Sequence, residues 1–341
     1  MNQECKSRVR FGKQLMVAAG FIVALATSEE APAADKGVVR PAYEGLLEGV
    51  FQTDVVEIGL ERLGYKIGTL QQLEIPSMHI AVAQGDADFI AVHWNPLQQT
   101  YFDKAGGDAA MTRLGALVDG ARQGYLIDRA TSEKYRITNI AQFKDPKIAK
   151  IFDTDGSGKA SLAGCPPGWG CERVIEHQLD AYGLRPTVKH NQGQFMVMAA
   201  DVISRYQAHQ PVFYYTYTPL WVSEVLQPGR DVVWLEVPFT ALPDPSEQAH
   251  ANTKLPDGRN VGFTVNTIQI VANNDFLAKH PDAKRWFELV AVPVEDVNAE
   301  NMKIHDGEKS FADIRRHAEE WVKAHESQVD AWVKTAQGTT N

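Results

Sequence analysis

The 341-residue chain holds 34 basic and 43 acidic residues, a formal net charge of −9, with 44% hydrophobic and 23% charged positions. That length and apolar content suit a globular protein with a sizeable core split between two lobes. The acidic balance excludes nucleic acid as a partner, because such binding rests on phosphate neutralisation by Lys and Arg.

At the N-terminus Lys6, Arg8, Arg10 and Lys13 precede an uninterrupted apolar run from Leu15 to Ala26. The run is too short to span a bilayer. A polar stretch and Ala31-Pro32-Ala33 follow, so basic, apolar and cleavable regions come in the order of a secretory signal peptide over residues 1–33. An amphipathic helix of the mature protein is the other reading, and the run has no polar face to support it. Cys5 precedes the run and leaves with it, which gives no sign of a lipid anchor. Four basic and three acidic residues depart together, taking the net charge from −9 to −10. The mature chain is expected to be exported to the periplasm as a soluble monomer. The remaining Cys165 and Cys171 are an even pair in an oxidising compartment, which favours a disulfide over a metal site or a nucleophile.

Apolar positions Leu47, Val50, Phe51, Val55, Ile58 and Leu63 recur at helical spacing and stop at Gly64. Met78 to Ala87 reads as a second helix. Asp88 to Val92 reads as a buried strand ending at His93-Trp94-Asn95-Pro96, and strand ends of this kind face the ligand crevice of α/β sheets. The segment Gly124 to Asp128 follows, then Ile140 to Phe143, a Gly-rich stretch from Asp155 to Gly170 and a helix from about Cys171 to Tyr182. A helix near Phe195 to Gln207, a strand Pro211 to Tyr215, a β-rich and loop-rich stretch to about Phe263, a strand Ile268 to Ala272 and a mostly helical final third complete the chain. Repeated βα units imply α/β lobes with mixed sheets. Crossings near 123 and 268 would join lobe 1 (34–122 and 268–341) to lobe 2 (123–267).

Three aromatic-rich segments, far apart in sequence, can converge on one cleft. They are Ala91 to Gln98 around Trp94, Gly164 to Glu172 around Trp169, and Phe213 to Trp221 around Tyr217. A trimethylammonium group donates no hydrogen bond, so a protein holds it with negative potential, and aromatic faces supply this. A carboxylate at the other end of such a ligand needs donors, which the backbone N–H groups of Gly170 and Cys171 at a helix N-terminus would supply. Each segment can also be read as core packing. Trp169, flanked by Gly168 and Gly170 in a loop, has no periodicity that would put it in a core. For Trp221, Trp234, Trp286, Trp321 and Trp332 the core reading is preferred.

Residues 120 to 240 resemble the glycine-betaine-binding proteins of osmoprotectant ABC importers. The likeness rests on Gln123-Gly124-Tyr125-Leu126-Ile127-Asp128, Ile137 to Gln142, Asp145 to Lys150, Pro167-Gly168-Trp169-Gly170-Cys171-Glu172, His190-Asn191-Gln192-Gly193 and Asp231 to Leu235, and it extends colinearly over nearly the whole mature chain. The resemblance implies a class II periplasmic-binding-protein fold, with two lobes joined by two crossover segments and closing on ligand. It implies an aromatic box of Trp94, Trp169 and Tyr217, carboxylate contacts from the Gly170 and Cys171 backbone, a Cys165–Cys171 disulfide, and delivery to a membrane permease with its cytoplasmic ATPase. Two positions depart from the family pattern. The third box residue is Tyr217 instead of tryptophan, and Gln98 stands where a histidine helps to hold the carboxylate. Gln98 is a neutral donor, so affinity is expected to be nearly flat with pH between about 5.5 and 7.5. His93 either compensates or is buried in its strand.

Asp153-Thr154-Asp155-Gly156-Ser157-Gly158-Lys159 resembles the start of a calcium loop, yet position twelve is Gly164 and the bidentate carboxylate is missing, so a plain turn is preferred and no metal or cofactor is expected. No nucleophile with a base, HExxH or GxSxG occurs, which argues against an enzyme. Binding of choline, carnitine or a zwitterionic amino acid, and a sensor domain, are the alternative readings.

Overall fold

The structure, a computed structural model, describes residues 36–338. The signal peptide expected over 1–33 lies outside the described residues. The core of the fold is a mixed sheet ordered Gln71–Gln72, Pro41–Tyr43, Phe89–Asn95, Asn266–Asn273, Met111–Asp128, Phe213–Thr218, Ala160–Ala163, Val188–Asn191, with Val232–Trp234 added beside Met111–Asp128. Helices pack on its faces, in keeping with the strand Phe89–Asn95, which is buried from Phe89 to His93.

Met111–Asp128 is the organising strand. Its first part, to Ala121, pairs with Asn266–Asn273. From Arg122 onward it pairs with Phe213–Thr218, and its last three residues also pair with Val232–Trp234. Two large apolar clusters follow the same division. One gathers side chains from Tyr125 to Phe263, and the other joins Val39 to Ala121 with Ile268 to Ala336. Trp94 packs against both.

Several elements depart from the expectations of the sequence. The strand read as Gly124 to Asp128 begins at Met111, because Gly115 and Gly120 adopt positive φ and the register with Asn266–Asn273 shifts twice, which breaks the alternation that would have revealed it. The helix read as 78–87 spans Ile75–Gln84: Pro76 suits its first turn, and Gly85 ends it in the left-handed conformation. The strand read as 211–215 is Phe213–Thr218. Pro211 has no N–H for a ladder, and the Val212 amide donates to Asp128 Oδ2 at 3.0 Å before pairing begins at Phe213 with Ile127. The stretch to Phe263, expected to be β-rich, contains the short strand Val232–Trp234 and the helix Pro245–His250, and side-chain bonds such as Thr264 to Glu247 tie its loops. The helix Phe195–Gln207 falls where the spacing puts it.

Candidate functional site

Two parallel strands create the site's edge. Pro41–Tyr43 pairs with Phe89–Asn95 through Pro41 with Phe89 and Ala42 with Ile90, so both strands release their chains on the same side, at Glu44 and beyond Trp94. Gln98 is buried, its Oε1 accepts the Trp94 N–H at 3.3 Å, and its own N–H donates to the Trp94 carbonyl at 2.7 Å. Asn266 Oδ1 takes the Leu97 N–H at 3.0 Å. The turn after Trp94 is thereby held from both sides.

Facing this turn is the loop closed by a disulfide between Cys165 and Cys171, whose Cα atoms are 5.9 Å apart. Gly168 takes φ +85°, and its N–H donates to Glu172 Oε2 at 2.8 Å. Trp169 then caps the helix Gly170–Ala181 without a side-chain bond. A Cβ at Gly170 would lie 2.6 Å from Leu97 Cγ and 2.7 Å from the Leu97 carbonyl oxygen, so the approach of helix to turn requires glycine here. The Gly170 and Cys171 N–H groups lie in the helix's first turn, where intrahelical acceptors are missing and the helix dipole favours negative charge. His190 braces the loop from behind. Its Nε2 accepts the Cys165 N–H at 3.0 Å and its Nδ1 meets Glu176 at 2.6 Å, which fixes the tautomer with the proton on Nδ1.

The third wall is the strand Phe213–Thr218. Tyr217 stands edge-on to Trp94 at 5.2 Å between ring centroids and 6.3 Å from Trp169. Phe195, at the start of its helix, stacks on Trp169 at 5.7 Å and lies 5.4 Å from Tyr217. Trp94, Gln98, Trp169, Gly170, Cys171 and Tyr217, the six positions singled out in the sequence, line one small, partly open cavity.

Glu44, Leu46 and Ile75 also line it and escaped the sequence reading, while Leu97 and Tyr215 lay within the aromatic-rich segments without being singled out. Tyr215 precedes Tyr217 by two residues on the same strand and shares its face, a periodicity that could have flagged it. Glu44 follows the first strand of the sheet, and the rule that ligands gather beyond the carboxyl ends of strands would have pointed there.

The site's electrostatics are one-sided. Among the described residues no Lys, Arg or His side chain lines the cavity, and Glu44 is the single ionisable carboxylate that does. Burial drives the Glu44 carboxyl up to about 7, against a pull from its own backbone amide, with Glu48 adding to the rise. Burial also raises Glu48, whose Oε1 accepts from Trp221 Nε1 at 3.1 Å. His93 turns away into the sheet's other face, where its Nδ1 meets His79 Nε2 at 2.9 Å and His79 Nδ1 meets the Ile75 carbonyl at 2.8 Å. A carbonyl only accepts, so the proton order runs from His93 Nδ1 to His79 Nε2 and from His79 Nδ1 to Ile75, with both rings neutral. Burial, the His79 ring and Arg113 hold His93 well below the usual imidazole range.

Of the tryptophans read as core, Trp221, Trp234 and Trp286 are buried, while Trp321 and Trp332 are partly buried against the second cluster. In the loop that resembles a calcium site, the Asp153 carboxylate accepts from the Gly156 and Gly158 amides at 2.8 Å each, and Asp155 pairs with Lys189, so these oxygens serve a tight turn.

The model of the substrate-binding domain of ABC-type glycine betaine transport systems matches residues 37–324. The glycine betaine/proline betaine-binding periplasmic protein of Escherichia coli K12 is 51% identical over 93% of this chain and 97% of its own length. Among solved structures, an ABC-transporter choline-binding protein in complex with choline matches with a TM-score of 0.68 at 15% identity, covering 87% of this chain and 92% of its own. Lactococcal OpuAC, closed on glycine betaine, matches with a TM-score of 0.64 at 19% identity over 87% of this chain and all of its own. Those neighbours give the fold as the two-lobed one of periplasmic binding proteins. No helix of the described residues is long and apolar enough to cross a membrane. The chain belongs to the family of substrate-binding domains of ABC-type glycine betaine transport systems, and is thus a solute-binding component of transport and not an enzyme.

Proposed function

We propose that this protein captures a small quaternary-ammonium solute of the glycine betaine class between its lobes and delivers it to a membrane permease driven by a cytoplasmic ATPase. In this reading Trp94, Trp169 and Tyr217 receive the ammonium head, while Gln98 and the Gly170 and Cys171 amides receive the oxygen-bearing end. The lobes are 34–122 with 268–341, and 123–267; the change of strand partners between Ala121 and Arg122 supports that division. Release into the periplasm after cleavage of residues 1–33 accords with the signal-peptide pattern and with the periplasmic relative.

The observation that carries the proposal is the meeting of three aromatic rings from distant segments around a cavity with no cationic side chain among the described residues. A cation–π face that is well desolvated contributes on the order of 1.4 kcal/mol or more, a factor of ten in affinity. Trp169→Ala is therefore expected to weaken glycine betaine binding by at least about tenfold, while Trp332→Ala, which removes a ring packed 6.3 Å from Trp286 in the helical C-terminal region, leaves it unchanged. Calorimetric titration of the folded variants decides this. Equal losses from both substitutions would remove the box from the binding site.

A further inference from the structure

Among the described residues Glu44 has no counter-charge in the cavity. Its residue keeps some surface, but its Oε2 is sealed from solvent and has no hydrogen-bond partner among the described residues. Glu48, four residues on, differs in that its Oε1 accepts from Trp221. Buried carboxylates are normally paired or hydrogen-bonded, and one with an oxygen left unpartnered on the wall of a cleft points to a functional position.

Its carboxylate lies toward the Trp94 and Tyr217 rings, which receive the ammonium head in the reading above. Glu44 Oε1 and Val92 Cγ2 flank Gly49 from the same side, 3.1 and 3.6 Å from where its Cβ would stand. Val92 shares its strand face with Trp94, and the charges of Glu48 and Glu44 act on the buried Tyr217 ring, whose hydroxyl burial pushes well up.

We infer that Glu44 is a specificity-determining residue whose carboxylate pairs with the onium head and tilts the site toward ligands of net single positive charge, the choline class, over zwitterionic betaines. This inference rests on the quaternary-ammonium reading above. A cation without a carboxylate gains the whole attraction of Glu44. A betaine gives part of it back, since its own carboxylate is a second negative charge in a cavity whose hydrogen-bond donors are all neutral among the described residues.

The chemistry has a sign. A bound cation draws the proton from Glu44, so choline should bind more tightly as the carboxyl ionises. Other titratable groups near it respond differently. Burial raises Glu48, Tyr43 and Tyr217, and it holds His79 and His93, behind the strand, below the usual range. For a group titrating at about 7, the ionised fraction and hence choline affinity should rise about tenfold between about pH 6 and pH 8.

The test is calorimetric titration of choline and of glycine betaine into the mature wild type and Glu44→Gln at both pH values, with circular dichroism as a check on folding. The expected result at the higher pH is a loss of choline affinity of about tenfold or more in E44Q, a change for betaine of less than about threefold, and a flat choline profile. Equal losses for both ligands, or a flat choline profile in the wild type, overturn the inference. Betaine binding that tightens in the wild type as pH falls also overturns it, by making protonated Glu44 a donor to the ligand's carboxylate. Betaine binding without choline binding defeats the inference and leaves the quaternary-ammonium reading standing, whereas failure of both ligands defeats both.

Discussion

The strand Phe89–Asn95 separates two buried environments that treat ionisable groups in opposite ways. On one face His93 and His79 share a proton chain that ends on the Ile75 carbonyl. On the other, Glu44 leaves an oxygen unpartnered beside the aromatic rings. Burial opposes charge in both places. For an imidazole that pushes the pKa down, away from neutrality, and for a carboxyl it pushes the pKa up, into it. The same desolvation therefore silences the histidines and makes the carboxylate responsive. The expectation of pH-independent binding was drawn from Gln98 standing in place of a histidine; the Glu44 carboxyl, raised by burial to about 7, adds a titrating group on the cavity wall that this reading did not weigh.

Folding stability should expose this contrast most strongly. The folded state holds the Glu44 proton more tightly than the ordinary carboxyl value of 4.5 implies, so the associated stability is present below that value and is lost as pH rises through about 7. His93 is shifted the other way. Its contribution is full above 6.5 and is lost as pH falls through its depressed folded value. Stability of the unliganded protein should then decline on both sides of a maximum. Glu44→Gln is expected to recover on the order of 1 to 3 kcal/mol at about pH 8, and only part of the alkaline loss, because Asp54 and Glu57 are also raised by burial, to about 7 and about 8. His93→Asn, which keeps a donor near the Nδ1 position, should soften the acid limb and leave the alkaline limb alone. Denaturant midpoints at three pH values measure both limbs. An E44Q protein with an unchanged alkaline limb would show that Glu44 is solvated, and the contrast between the two faces would collapse.

The sequence made some parts of the site visible and hid others for identifiable reasons. The disulfide loop was legible because Gly168, Trp169, Gly170 and Cys171 are contiguous, and their chemistry depends on backbone shape: a positive φ at Gly168 and a close approach at Gly170. Trp94 was legible from its place at a strand end. Tyr217 was found through its aromatic run, although the strand that carries it was read two residues early because Pro211 was counted as part of it. Glu44 was missed: its place just beyond a strand end was the one available signal, and nothing else in Tyr43-Glu44-Gly45 distinguishes it from a surface acid. Its burial comes from the parallel pairing of Pro41–Tyr43 with Phe89–Asn95, a contact across 48 residues that no local pattern encodes. The same holds for His93: its partner His79 is 14 residues away, on a helix whose packing orientation is set by the sheet.

The finest test of the contrast places a new histidine on the boundary between the two environments. Gln98 sits on the cavity wall, 5% exposed, with its Oε1 occupied by the Trp94 amide. Were this position solvated, Gln98→His would ionise near 6.5 and draw a ligand carboxylate more strongly as pH falls toward 6. At its actual burial, in contact with His93, the imidazole should stay neutral over most of that range; among the described residues Glu44 is the one acid lining the cavity, and it is itself protonated as pH falls. The expected gain in glycine betaine affinity of Q98H over wild type, compared between about pH 8 and pH 6, is less than about threefold. Taking the ratio to wild type at each pH cancels the contribution of Glu44. A ratio that climbs tenfold or more would mean that a bound carboxylate lies close enough to position 98 to restore the histidine's charge, and the oxygen-bearing end of the ligand would then be held by that side chain as much as by the Gly170 and Cys171 amides.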